Sequence, residues 1–134
     1  MFRIAALLMV LASPVLAQET PLTIEEFDAL VTGRKMDHFN WGQSDPYGAE
    51  VYLPNRTVRW AFTADECVDG TYYERDGAIC FNYEGRMGEI CWHYWRDGAD
   101  SLTGRPTSDP ADSLLYQMRP STQKLACLGP DVGV

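Results

Sequence analysis

Histidine is scarce in this chain and positive charge is in deficit: two His, and 11 Lys and Arg against 19 Asp and Glu, for a net charge of −8. A chain this acidic, with no basic cluster, is a poor partner for nucleic acid or anionic lipid. Its acidity reads first as a solvated surface. Beyond the opening residues no apolar run approaches the length of a membrane span. The GxSxG, HExxH, CxxCH and phosphate-loop patterns are all missing, so none of those chemistries has a motif behind it. Cysteine pairs at CxxC spacing are absent, which counts against a structural zinc site. There is no internal repeat.

What is present begins with MFRIAALLMVLASPVLA, one Arg followed by an apolar run and a small-residue ending. This is the pattern of a secretory signal peptide over residues 1–17, with cleavage expected between Ala17 and Gln18. The expected mature product, 18–134, is one domain's worth of chain and loses only Arg3 among its charges, so it stays acidic. No Cys sits beside the cleavage site to carry a lipid, which points to the periplasm or the exterior of a bacterium. Four cysteines (Cys67, Cys80, Cys91, Cys127) in an exported chain suggest two disulfides, with three possible connectivities.

The stretch 70–95, GTYYERDGAICFNYEGRMGEICWHYW, reads as three antiparallel strands. Asp76-Gly77 suits a primed hairpin turn, and Gly85-Arg86 is the expected second turn. Folding about these sets Tyr72 opposite Phe81, Tyr73 opposite Cys80, Phe81 opposite Ile90, Cys80 opposite Cys91 and Ile79 opposite Trp92. Side chains alternate between faces. One face therefore carries Tyr72, Ile79, Phe81, Tyr83, Ile90, Trp92 and Tyr94 and is the expected core. The other carries Tyr73, Arg75, Cys80, Asn82, Glu89, Cys91, His93 and Trp95 and is expected to meet water. Cys80 with Cys91 is the favoured bridge, although the tight register makes them a hydrogen-bonded pair, the less suitable kind. Cys67 with Cys127 follows by elimination.

Elsewhere, Thr23-Ile24-Glu25-Glu26 fits a capping box, and Ile24, Phe27, Leu30 and Val31 share one face of a short helix over 24–32. Strands are expected at 35–41, 49–53, 56–62, 113–119 and 122–128. The hairpin about Pro54-Asn55 sets Val51 opposite Val58, Glu50 opposite Arg59 and Tyr52 opposite Thr57, a charge pair on one face and a β-branched pair on the other. Residues 63–69 read as an acidic connection in which Asp65, Glu66 and Asp69 lack the order of a calcium loop. Residues 96–112, almost without apolar side chains, read as a long loop, disordered or used for binding, and 129–134 as a loose tail. The sum is a mainly β domain: about eight short antiparallel strands in a meander, curled into a small barrel or a strongly bent sheet, plus one helix. An eight-stranded barrel has an interior filled by side chains or just able to hold one small ligand.

The spacing Cys67-x-x-Gly70-x-Tyr72, Gly77-x-Ile79-Cys80-Phe81-x-Tyr83 and Cys91-Trp92 resembles a group of small exported bacterial proteins of unknown function. Their shared pattern is a C-x-x-G-x-[WY] strand, a G-x-[IL]-C-[FY] strand and a third Cys. The resemblance implies a disulfide-bearing sheet and export, and no activity. No catalytic residue, cofactor or metal set is expected. Asp37, Glu50, Asp65 and Glu66 are carboxylates available to a hydrolase, without a pattern that selects them. The functional expectation is a non-enzymatic binding module for a protein, a glycan or a small ligand, monomeric, working through Tyr73, His93 and Trp95 or through a barrel mouth. The alternatives are an unrecognised hydrolase built on His38 or His93, and an inhibitor whose 96–112 segment enters the cleft of an exported hydrolase.

Overall fold

The computed structural model describes residues 19–63 and 66–121. Helix α1 (Ile24–Val31) is followed by eight strands: β1 (Lys35–Phe39), β2 (Gly48–Leu53), β3 (Thr57–Thr63), β4 (Glu66–Arg75), β5 (Ala78–Tyr83), β6 (Ile90–Arg96), β7 (Leu102–Pro106) and β8 (Tyr116–Pro120). Each strand pairs antiparallel with its successor, and β8 returns to β1 through Met36↔Pro120 to Phe39↔Gln117. The sheet is therefore a closed up-and-down barrel. Closure leaves no unpaired edge on a chain whose strands are only five to ten residues long.

One end of the barrel is stoppered by α1. Thr23 accepts from the Glu26 amide while the Glu26 carboxylate accepts from the Thr23 amide, which starts the helix at the expected place. Ile24, Phe27, Leu30 and Val31 are all buried. The Phe27 ring meets Tyr52 and Tyr72 edge-on at 5.6 and 5.5 Å and stacks on Tyr94 at 4.7 Å. Asp28 fastens the stopper, accepting from the Tyr72 hydroxyl at 2.6 Å and from the Arg56 guanidinium at 2.8 and 3.0 Å. Below the helix Met36, Val58, Ile79, Leu102 and Met118 fill the lumen.

The central meander has the expected registers, including Tyr72↔Phe81, Cys80↔Cys91 and Ile79↔Trp92. Asp76 and Gly77 both have positive φ, as a primed turn requires. Cys80 and Cys91 form a disulfide. The reservation about their pairing is overturned. The Cys91 carbonyl accepts from Thr107 on the β7 side, so its hydrogen-bonding edge points away from β5. The two residues thus form a non-hydrogen-bonded pair with Cα atoms 3.9 Å apart, the close kind that suits a bridge. Residues 84–89 make a longer loop than Gly85-Arg86 alone, and its turn runs from Tyr83 to Arg86. Cys67 is also disulfide-bonded. Cys127 lies outside the described residues, as do the expected signal peptide, Asp65, the 122–128 strand and the 129–134 tail.

Three expectations are corrected. The β2–β3 connection holds three residues, Pro54–Arg56, with Asn55 and Arg56 at positive φ. The true register is Glu50↔Trp60, Val51↔Arg59 and Tyr52↔Val58. One residue of slip exchanges the faces of one strand relative to its neighbour, so Glu50 leaves Arg59 and turns into the lumen. Arg59 stays outside and pairs with Asp69 at 2.5 and 2.9 Å. Next, 66–69 are the first residues of β4 rather than a connection. Last, the supposed loop 96–112 contains β7, a stave between β6 and β8. Its inward side holds Leu102 and Gly104, and the low apolar content of LTGRP concealed it.

Candidate functional site: a cup in the open end of the barrel

The chain enters the barrel at the stoppered end, so β1, β3, β5 and β7 all run towards the other end. The lumen there is unfilled, a cavity of about 360 Å³. Period-two alternation aims His38, Glu50, Trp60, Tyr83, Trp92 and Tyr94 into it from five strands, with Tyr47 reaching in from the residue before β2. Space for these rings comes from glycine. A Cβ on Gly48 would lie 2.2 Å from Trp60 Cζ2, and one on Gly104 would lie 2.8 Å from the Tyr94 ring. Both rings therefore lie flat against bare backbone.

A chain of touching rings runs from Phe62 to Tyr94, its members all in the cup's lining except Tyr116. Phe62 meets Trp60 at 5.8 Å and Trp60 meets Tyr47 at 5.9 Å. Tyr47 then meets Tyr116 at 5.8 Å, Tyr116 meets Trp92 at 5.3 Å, and Trp92 stacks on Tyr94 at 5.8 Å. Across from them the Tyr83 ring stacks on Phe81 at 6.1 Å. The rim is more polar and holds Glu84 and Arg86.

Two polar groups sit inside this apolar lining. Glu50 is 2 % exposed, and its carboxyl meets the Tyr83 hydroxyl at 3.0 and 2.9 Å across the lumen. Burial pushes its pKa up to about 8, with the Tyr83 hydrogen bond pulling the other way. It makes no ion pair among the described residues. His38 is 6 % exposed and packs edge-on against Trp60 at 4.9 Å. Its Nε2 is buried without a hydrogen-bond partner among the described residues, and burial depresses its pKa to about 3. Burial thus favours the neutral form of both groups. Burial also raises the phenols of Tyr47, Tyr83 and Tyr94 above their ordinary range.

The residues expected to bind, Tyr73, His93 and Trp95, lie on the outer wall, each half-buried. His93 and Trp95 are neighbours, with ring centroids 6.3 Å apart. Tyr73 stands on the far side of β5, beneath the Arg75 guanidinium, which pairs with Glu89. Trp95 is partly covered by the chain itself: its indole N–H donates to the Glu19 carbonyl at 3.0 Å, and Arg105 lies over its ring. None of the three lines the cup. Among the described residues the group of His, Cys, Asp and Glu close enough to hold a metal is Cys80, Glu89 and Cys91, and its two sulfurs are tied in the disulfide.

A relay for hydrolysis needs a histidine bonded both to a carboxylate and to a nucleophile. Among the described residues the Glu50 carboxyl is bonded to Tyr83, His38 Nε2 has no partner, and no serine lines the cavity. Among the described residues no helix is long and apolar enough to cross a membrane. No protein-family model matches the chain, and no curated protein or solved structure does either.

Proposed function

We propose that this chain is an exported, non-enzymatic binding protein of the bacterial periplasm or envelope that holds one small molecule in the mouth of its barrel. The observation that carries this reading is two buried polar groups inside an apolar cup: Glu50 and His38, the latter with an Nε2 unsatisfied among the described residues. A buried polar atom without a partner costs on the order of 1–3 kcal/mol. A ligand atom that satisfies it recovers that cost. Aromatic walls with a few convergent polar groups are the usual make-up of a small-molecule site. Export is supported by the N-terminal leader pattern and by the oxidised Cys67, Cys80 and Cys91. The inhibitor reading loses its free segment, because part of 96–112 is the stave β7.

The test is a panel of small aromatic compounds at millimolar concentration, followed by amide and indole NMR shifts of the mature chain. Shifts gathered on β2, β3, β5 and β6 residues that face the lumen, with the Trp60 and Trp92 indoles among them, are expected. Shifts confined to the outer wall at Tyr73, His93 and Trp95 would move the site there and remove the cup from the function.

A further inference from the structure

We propose that the molecule held in the cup is an organic cation: a protonated or quaternary amine on a small aromatic or apolar body, with its charge against Glu50 and its body against the Trp60, Tyr47 and Trp92 rings. The inference rests on the reading of the lumen as a ligand cup and specifies what that cup selects.

The argument starts from Glu50. Buried carboxylates are ordinarily paired with a cation, because an isolated buried charge is very costly. Glu50 is buried at the heart of the cavity, its one described hydrogen-bond partner is a phenol, and no described cation pairs with it. The place of a counter-ion is thus left to whatever enters. The walls have the matching chemistry. Ring faces of Trp and Tyr attract a cation that has shed its water, and a cage of such rings is the usual receptor for alkylammonium groups. A bare metal ion is a poorer fit, since it needs several converging oxygen, nitrogen or sulfur ligands, and among the described residues no three His, Cys, Asp or Glu of the lining bring ligand atoms together. An anionic ligand would be buried without a cation beside it, because the one guanidinium of the described lining, Arg86, stands at the rim. The chain's net charge of −8 also draws cations towards it.

Proton coupling follows. The groups facing Glu50 from the surrounding elements are the phenols of Tyr47, Tyr52, Tyr83 and Tyr94, with His38 from β1. Tyr116 packs behind the lining against Tyr47 and Trp92, and Glu84 and Arg86 stand at the rim. The phenols and His38 are uncharged at neutral pH, so none of them ionises Glu50 in the empty cup. Burial holds the carboxyl protonated up to about pH 8. An entering ammonium group ionises it, and one proton leaves to solvent for each cation bound.

Three probes of one shape and three charges test this on the mature chain: phenethylamine, 2-phenylethanol and phenylacetate. Each is titrated by calorimetry at pH 7 in phosphate and in Tris, whose different ionisation enthalpies report proton release. Phenethylamine is expected to bind at least tenfold tighter than 2-phenylethanol, to release close to one proton, and to tighten roughly tenfold per pH unit below about pH 8. Phenylacetate is expected not to bind. Glu50→Gln should abolish the preference for the amine while keeping 2-phenylethanol binding, which also shows that the variant is folded. If 2-phenylethanol binds as tightly as the amine, or the amine binds without proton release, the cation inference is overturned and the cup stands. If none of the three binds, the cup reading falls with it.

Discussion

The Tyr83 hydroxyl reaches across the lumen to both oxygens of the Glu50 carboxyl, at 3.0 and 2.9 Å, joining strands that are not neighbours in the sheet. The bond holds the acid in the middle of the cup and favours its ionised form. Burial opposes it and prevails. Everything the cup can do with a proton depends on this balance.

Glu50 therefore makes stability fall as pH rises. Between its ordinary value of 4.5 and about 8 the folded chain holds a proton that the unfolded chain has released. Raising the pH through that window favours unfolding, by on the order of 4 kcal/mol in total. Urea melts of the mature chain at half-unit steps should show the decline, and Glu50→Gln should show none of it. Tyr83→Phe removes the contact that favours ionisation, so its decline should extend to higher pH than in the parent. A Glu50→Gln variant that tracks the parent from pH 4.5 to 8 would refute the assignment.

His38 acts in the opposite sense and in a lower window. Its folded value is near 3 against an ordinary 6.5. Below pH 6.5 the unfolded chain takes up a proton that the folded chain refuses, so stability is full above that pH and drains away towards pH 3. Where the two windows overlap, from 4.5 to 6.5, the slopes oppose each other and their joint contribution is nearly level. His38→Gln should remove the acid limb from the same urea series and leave the upper one intact.

The barrel was legible in the sequence because its strongest local signals were consistent with one another. Asp76-Gly77, the alternation through 78–83 and the Cys80–Cys91 pairing all specify the same three-strand meander, with Tyr72, Ile79, Phe81 and Tyr94 buried as expected. The cup was not legible, and the reason is one residue of loop. With a two-residue turn at Pro54-Asn55, Glu50 faces Arg59 and reads as half of a cross-strand charge pair. With the actual three residues it faces the lumen opposite Trp60. The two-residue turn also aligns Val51 with Val58, a favourable β-branched pair. The larger gain came from burying Tyr52 against Phe27. A period-two pattern also cannot tell a ring that fills a core from one that lines a void, so Tyr83 and Trp92 passed as ordinary core. Glycines across from two lumen rings, Gly70 opposite Tyr83 and Gly104 opposite Tyr94, are the available sign of rings lying against bare wall.

Gly48 makes that last point testable. It is buried on the lumen face of β2, and an added methyl would overlap the Trp60 ring at 2.2 and 2.6 Å. Its φ is not in the left-handed region, so the cost of Gly48→Ala is steric rather than conformational. The ring must swing into the cavity. Overpacking of this kind costs about 1–3 kcal/mol, read as a lowered urea midpoint, and the displaced indole should occupy the cup and weaken binding of any probe. An alanine variant with parental stability and affinity would show that Trp60 has room to retreat, and that the glycine does not shape the site.

The stopper sets how firmly the closed end is held, and two substitutions separate its two attachments. Phe27 is fully buried and touches rings from β2, β4, β5 and β6. Truncation to Ala leaves a void among residues that a closed barrel cannot bring together, so a loss of about 3–5 kcal/mol is expected. Asp28 is different, because it lies nearer the surface and works through the Tyr72 hydroxyl and the Arg56 guanidinium. Asp28→Ala leaves those two donors free to meet water at the barrel end, and should cost only about 1–2 kcal/mol. Hydrogen exchange distinguishes the cases beyond magnitude. Loss of Asp28 should speed exchange at the amides tying the helix to the barrel, such as Gly33 to the Tyr52 carbonyl, while β5 and β6 keep their protection. Loss of Phe27 should lower protection throughout the sheet, because every strand shares the core that it completes. Uniform loss in both variants would mean that the helix and barrel open as one unit, and that Asp28 is as much a part of the core as the ring beside it.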